Sequence, residues 1–291
     1  MVKKMENSKI YNRNWAESSR VIMDQATTLV NRVPKPTLFY NDSRAHFLHI
    51  PKCGGTTTRY ILEAACSVLG AAVANQAGGF LDNAAPARDQ EAQFVLSHAP
   101  PPDLFDRNDT HYFTVLRNPI ERVESLITHI SRSPRGRGKS HDEIFQSLTD
   151  LEFNQATGLL GWAPESGNFD KMLERAKNRL REKVLFFGFQ EKYHEFAALL
   201  ATFIGFEGVI FSKYQVTDTK CRLLPENRYH LTKRVYHDAE LYAYALNLYE
   251  KSFASLFKDG SFRKARIGVP YLSVKYDSDA KAVRLDQLVF C

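Results

Sequence analysis

The stretch FLHIPKCGGTTTRYIL, residues 47–62, constrains this chain more than any other. An apolar run that reads as a strand ends in Pro-Lys-Cys-Gly-Gly, and a helical pattern begins at once. A strand, a glycine turn and a helix N-terminus with a lysine at its mouth form an anion cradle. The first backbone N–H groups of a helix have no partners within it, and the helix dipole favours negative charge there. The order is not GxxxxGK[ST], the phosphate loop of ATP-binding proteins, because Lys52 precedes Gly54 and Gly55.

Around this stretch the chain alternates strands with helices. Strands are expected at residues 45–50, 93–97, 111–116 and 184–189. Helices are expected from Thr56 to about Gly70, from Pro119 behind the cap Asn118, over 141–161 and 168–182, from Gln190 to Ile204, and from Asp238 to Phe257. Such alternation predicts an α/β fold with a central parallel sheet flanked by helices on both faces. Residues 1–44 read as an N-terminal arm or peripheral helix, and 45–291 as one domain closed by a C-terminal hairpin at about 271–290. Residues 71–92 read as a long loop and 132–140 as a basic one.

Three strand ends carry chemistry. Lys52 follows the first strand, His98 the second and Arg117 the third. Ligands of open parallel sheets sit outside the carboxyl ends of the strands, so these side chains are expected in one crevice. An anionic ligand beside a titratable group is the implied chemistry. The net charge of +6 agrees with an anionic partner but does not choose among nucleic acid, a small polyanion and an acidic polymer. The four cysteines have neither disulfide-framework nor zinc-site spacing, and no metal site is expected. No signal peptide or membrane-spanning run is recognisable, so a cytoplasmic protein is expected.

HIPKCGGTT at 49–57 resembles the 5′-phosphosulfate loop of sulfotransferases that use 3′-phosphoadenosine-5′-phosphosulfate (PAPS). It is most similar to the HxPKTGGT form of the carbohydrate branch, the heparan sulfate 2-O/6-O-like enzymes of sulfotransferase family 2. VLRNPIERVESLITH at 115–129 resembles the same family's 3′-phosphate motif. The resemblance implies a P-loop NTPase-like three-layer fold and PAPS as co-substrate, with no metal. Lys52, Cys53, Gly54, Gly55, Thr56 and Thr57 would hold the 5′-phosphosulfate, and Arg117 and Ser125 the 3′-phosphate. Asn118 stands where Asp is usual, and Cys53 where Thr is common.

The same resemblance makes His98 the base that deprotonates an acceptor hydroxyl, with Lys52 stabilising the leaving phosphate. The acceptor is expected to be a carbohydrate or another hydroxyl compound, possibly acidic, and not nucleic acid. The rival readings are a kinase-like phosphoryl transferase, which lacks its Walker motif here, and a nucleotide-binding module without catalysis. His49 and Arg122 read as structural, His129 as surface or core, and Cys53 as a packing residue rather than a nucleophile.

Overall fold

Short apolar runs bounded by breakers do become the strands, and the longer amphipathic ones the helices. The computed structural model describes residues 27–31, 44–69, 71, 73–76, 93–98, 110–162, 168–206, 208–212, 221–257, 270–277 and 282–290. Residues 1–26 and 32–43 of the expected arm, most of the expected loop 71–92 and the turn of the expected hairpin lie outside the described residues. In chain order the first elements are β1 (Thr27–Asn31), β2 (Arg44–Leu48), α1 (Gly55–Leu69), β3 (Val73–Gln76), β4 (Phe94–Ser97), β5 (Thr110–Leu116) and α2 (Pro119–Ser131). Then come α3 (His141–Gln146), α4 (Asp150–Phe153), α5 (Gln155–Gly161), α6 (Phe169–Glu182), β6 (Val184–Phe189) and α7 (Tyr193–Ile204). The last are β7 (Gly208–Ser212), α8 (Pro225–Arg234), α9 (Tyr236–Ser252), β8 (Pro270–Asp277) and β9 (Ala282–Phe290).

Five strands form a wholly parallel sheet in the order β3-β4-β2-β5-β6. Side chains alternate across a strand, so β6 serves both faces. Phe186 joins Phe47 of β2 and Phe113 of β5 against Phe196 and Phe203 of α7. Phe187 and Phe189 point the other way, onto Tyr249 of α9. Both faces are therefore covered, as the near-continuous apolar strands require. The fold is α/β, with a central parallel sheet between helical layers.

A second sheet has the order β1-β7-β8-β9. Its β1 lies inside the segment expected as an arm and pairs antiparallel with β7. The antiparallel pair β8–β9 sets Asp277 opposite Ala282. Strands β3 and β7 and helix α8 were not expected. The single helical region expected over 141–161 is three short helices: one capping box opens it, a second interrupts it at Thr149, and the chain breaks again at Asn154. Ser140 with Glu143 opens α3 and Thr149 with Glu152 opens α4, each satisfying N–H groups that would otherwise start a new turn unpaired.

A buried ion pair ties this helical cluster to the sheet. Arg122 of α2, 1% exposed, donates Nη2 to the carbonyls of Glu152 (2.7 Å) and Phe153 (2.8 Å) and Nη1 to Gln155 (3.1 Å). Its Nε lies 3.6 Å from Asp238 of α9. Asp238 in turn accepts the N–H groups of Ala156 (3.1 Å) and Thr157 (2.7 Å) at the start of α5. Arg122 is structural, as its sequence context implies. Asp238→Ala strands a buried guanidinium and two helix N–H groups, and should cost about 3–5 kcal/mol in urea unfolding.

Candidate functional site

Register places the site. Leu48 of β2 lies opposite Ser97 of β4 on one side and Thr114 of β5 on the other. The chains leaving β2, β4 and β5 therefore emerge at one edge of the sheet, carrying Lys52, His98 and Arg117. Buried side chains pin these ends together. Thr114 Oγ1 donates to the Leu48 carbonyl at 2.8 Å, and His46 Nε2 lies 2.7 Å from Ser97 Oγ.

The turn into α1 is built on Pro51 and Lys52. The Cys53 N–H donates to the Ile50 carbonyl at 3.3 Å, closing a turn in which Pro51 takes the position it favours. Lys52 then has φ 70°, the left-handed conformation usually left to glycine, and Gly54 follows at φ 84°. Cys53 points inward: it is buried, and burial pushes its thiol up to about 12. Its N–H is committed to the turn, so the ligand-facing donors of the loop are those of Gly54, Gly55, Thr56 and Thr57. The last three open α1, where helix N–H groups have no intrahelical acceptor.

Arg117 joins the two motifs. Its Nη1 donates to the Lys52 carbonyl at 3.2 Å, and Nη2 lies 3.6 Å from the exposed carboxylate of Glu121. Its Nε is buried without a hydrogen-bond partner among the described residues. A guanidinium with a spare donor beside a loop of open N–H groups fits an oxyanion. Asn118 keeps the cap of α2, accepting from the N–H groups of Ile120 (3.1 Å) and Glu121 (3.4 Å).

Burial holds the Lys52 ammonium below its usual range, and the nearby positive charges of Arg117 and Arg132 press the same way. His129 is likewise held down by burial and by Lys52 and Arg132. The cationic cluster is thus larger than the motifs indicate. Ser125, His129 and Arg132 stand at i, i+4 and i+7 along α2 and its C-cap, one stripe of the helix. That spacing was legible, but Arg132 was read only as part of the basic loop; His129, read as surface or core, is exposed. Ser125 is partly buried on this stripe and makes no side-chain hydrogen bond among the described residues.

His98 sits just beyond β4, at the same sheet edge. Its Nδ1 lies 2.9 Å from the His49 carbonyl. A carbonyl only accepts, so Nδ1 carries the proton and Nε2 keeps its lone pair. Burial lowers the His98 pKa, the bond to His49 raises it, and Arg59 lowers it. Arg59 of α1, paired with Glu63 at 3.5 Å, is a further cation that the sequence reading did not place here. Among the described residues no group of three or more His, Cys, Asp and Glu side chains is placed to hold a metal, and no helix is long and apolar enough to cross a membrane.

An anion in the cluster should raise the depressed His129 and Lys52 pKa values, so the bound state takes up protons. The sign follows: affinity for sulfate, which does not itself titrate near neutrality, should rise as pH falls through the His129 titration. Calorimetry at several pH values in buffers of different ionisation heat reads both effects. In Arg132→Ala, with less repulsion to relieve, the proton uptake should shrink.

No protein-family model matches the chain, and no curated protein matches its sequence. Among solved structures, mouse sulfotransferase SULT7A1 complexed with PAP superimposes with a TM-score of 0.37 at 10% identity, over 67% of this chain. The chain spans 65% of that protein's length. A superposition this loose does not assign an activity.

Proposed function

We propose that this chain is a sulfotransferase that moves the sulfuryl group of PAPS to a hydroxyl, with a carbohydrate as the acceptor. The observation that carries the reading is the meeting of Lys52, Arg117 and His98 at one edge of the sheet, with Arg117 bonded to the Lys52 carbonyl. Two cations and a run of helix N–H groups suit a ligand with phosphate at two ends. A neutral histidine with an open Nε2 suits an incoming hydroxyl.

The residues divide the work as follows. Lys52 and the N–H groups of Gly54, Gly55, Thr56 and Thr57 hold the 5′ end. Arg117 and Ser125, with Arg132 behind them, hold the 3′-phosphate. His98 Nε2 accepts the acceptor's hydroxyl proton as its oxygen bonds to sulfur and the sulfur–oxygen bond to the 5′-phosphate breaks. Lys52 offsets the charge gathering on that phosphate oxygen, leaving 3′-phosphoadenosine 5′-phosphate and a sulfate ester. As in phosphoryl transfer, the rate comes from positioning and charge stabilisation.

Calorimetric titration with 3′-phosphoadenosine 5′-phosphate and with ATP tests the binding half. The first should bind more tightly, and Arg117→Ala should weaken it about 10–100-fold, the loss of charge-assisted hydrogen bonds of roughly 1.5–3 kcal/mol. Equal affinity for the two nucleotides, or indifference to Arg117→Ala, sinks the reading. His98→Ala should bind the nucleotide normally but transfer sulfuryl groups to polysaccharide hydroxyls roughly 10²–10⁴-fold more slowly. Binding without transfer even in the wild type would leave a nucleotide-binding module.

A further inference from the structure

His49 is the one imidazole of the phosphate-loop motif, and the proposed mechanism leaves it unused. It follows β2 directly, and its N–H donates to the Ser97 carbonyl at 2.9 Å, which fixes it to the end of β4. His98 is the next residue after Ser97, and its ring returns the connection through Nδ1 to the His49 carbonyl at 2.9 Å. The two imidazoles lie with centroids 4.0 Å apart and planes 33° from parallel. On its other sides the His49 ring stacks on Phe47 at 5.6 Å and touches the backbone of Gly55, where any added Cβ would overlap the imidazole. Gly55 is thus needed for close approach, which explains a glycine at a helical position.

The geometry points to His49 as a positioning residue for His98: its carbonyl decides which nitrogen of His98 carries the proton, and its ring, wedged between Gly55 and Phe47, covers one face of the base. This rests on the reading of His98 as the proton acceptor. The groups facing the pair are Arg59 of α1, itself paired with Glu63, and Lys52 on the turn. Burial first, then His98 and these two cations, oppose a proton on His49, and its pKa falls to about 3. With its basicity so depressed, His49 is a poorer proton acceptor than His98. Covered on that face, His98 also stays unprotonated to lower pH than a solvated imidazole, because burial disfavours its charged form.

The test is a histidine NMR titration of the ligand-free protein, with His98→Gln assigning the His98 signal. In the wild type, 15N shifts should give His98 as the Nδ1–H tautomer, with a midpoint below that of a free imidazole. His49 should stay unprotonated as the pH falls to 4. In His49→Ala the His98 midpoint should move up toward the ordinary value, and the acid limb of the transfer rate should move with it. His49→Phe, which keeps a flat ring without a titratable group, should restore the low midpoint. A role confined to packing lowers the rate equally at every pH and leaves both midpoints in place, which overturns the proposal. So does an Nε2–H tautomer in the wild type, a result that needs no variant to fold. Because tautomer and midpoint are read without substrate, they stand even if no sulfuryl transfer is found, in which case only the proposed function falls.

Discussion

Lys52 stands in a backbone conformation that costs an L-amino acid about 1–2 kcal/mol. Much of the surrounding structure serves to keep it there. Pro51 presets the turn, the Ile50 carbonyl closes it on Cys53, and Arg117 grips the Lys52 carbonyl from β5. A glycine at this position would remove the strain, but also the cation at the mouth of α1. Strain held in place by its neighbours clusters at functional sites, which agrees with the role proposed for Lys52.

The same place is electrostatically unfinished. The charges of Lys52, Arg117 and Arg132 act on one another closely enough to depress Lys52, and the carboxylate nearest Arg117, Glu121, is exposed to solvent. Like charges raise one another's cost, and an exposed carboxylate 3.6 Å away offsets little of it. What stops the cluster from relaxing apart is the fold behind it. Arg122 is on the same helix as His129 and is locked to α4, α5 and α9, so the cationic stripe of α2 cannot swing away from Lys52. One arginine of this helix is sequestered to hold the helix, and the arginine just before it can then meet a ligand.

Much of this was legible because strand ends and glycine turns are local signals. The run at 47–62, the cap Asn118 with Pro119, and the strand Val184–Phe189 each specify their own backbone. What was missed lacks such signals. Helix α8 buries only Asn227 and Leu231, so it has almost no apolar period to read. Strands β3 and β7 are short and sit beside stretches rich in glycine or alanine. The capping boxes at Ser140 and Thr149 were present as S-x-x-E and T-x-x-E, yet the apolar pattern runs through them and hides the breaks. The His49–His98 contact joins residues 49 positions apart and depends on the β2–β4 register, which no local pattern contains.

The basic loop illustrates how a charge count divides once the chain is folded. The Arg132 charge acts on Lys52 and helps hold its ammonium below the usual range. Arg135 forms a two-pronged pair with Glu152 at 2.5 and 3.3 Å, which also raises its pKa, so its charge is spent on bracing α4. Arg137 and Lys139 are exposed as well, on and beyond the C-cap of the 3-10 turn Pro134–Gly136. An acidic acceptor reaching this loop would meet exposed cations, one of which, Arg135, already holds a carboxylate. Selectivity for an acidic polymer would need further contacts, because attraction to exposed charges fades as salt screens them.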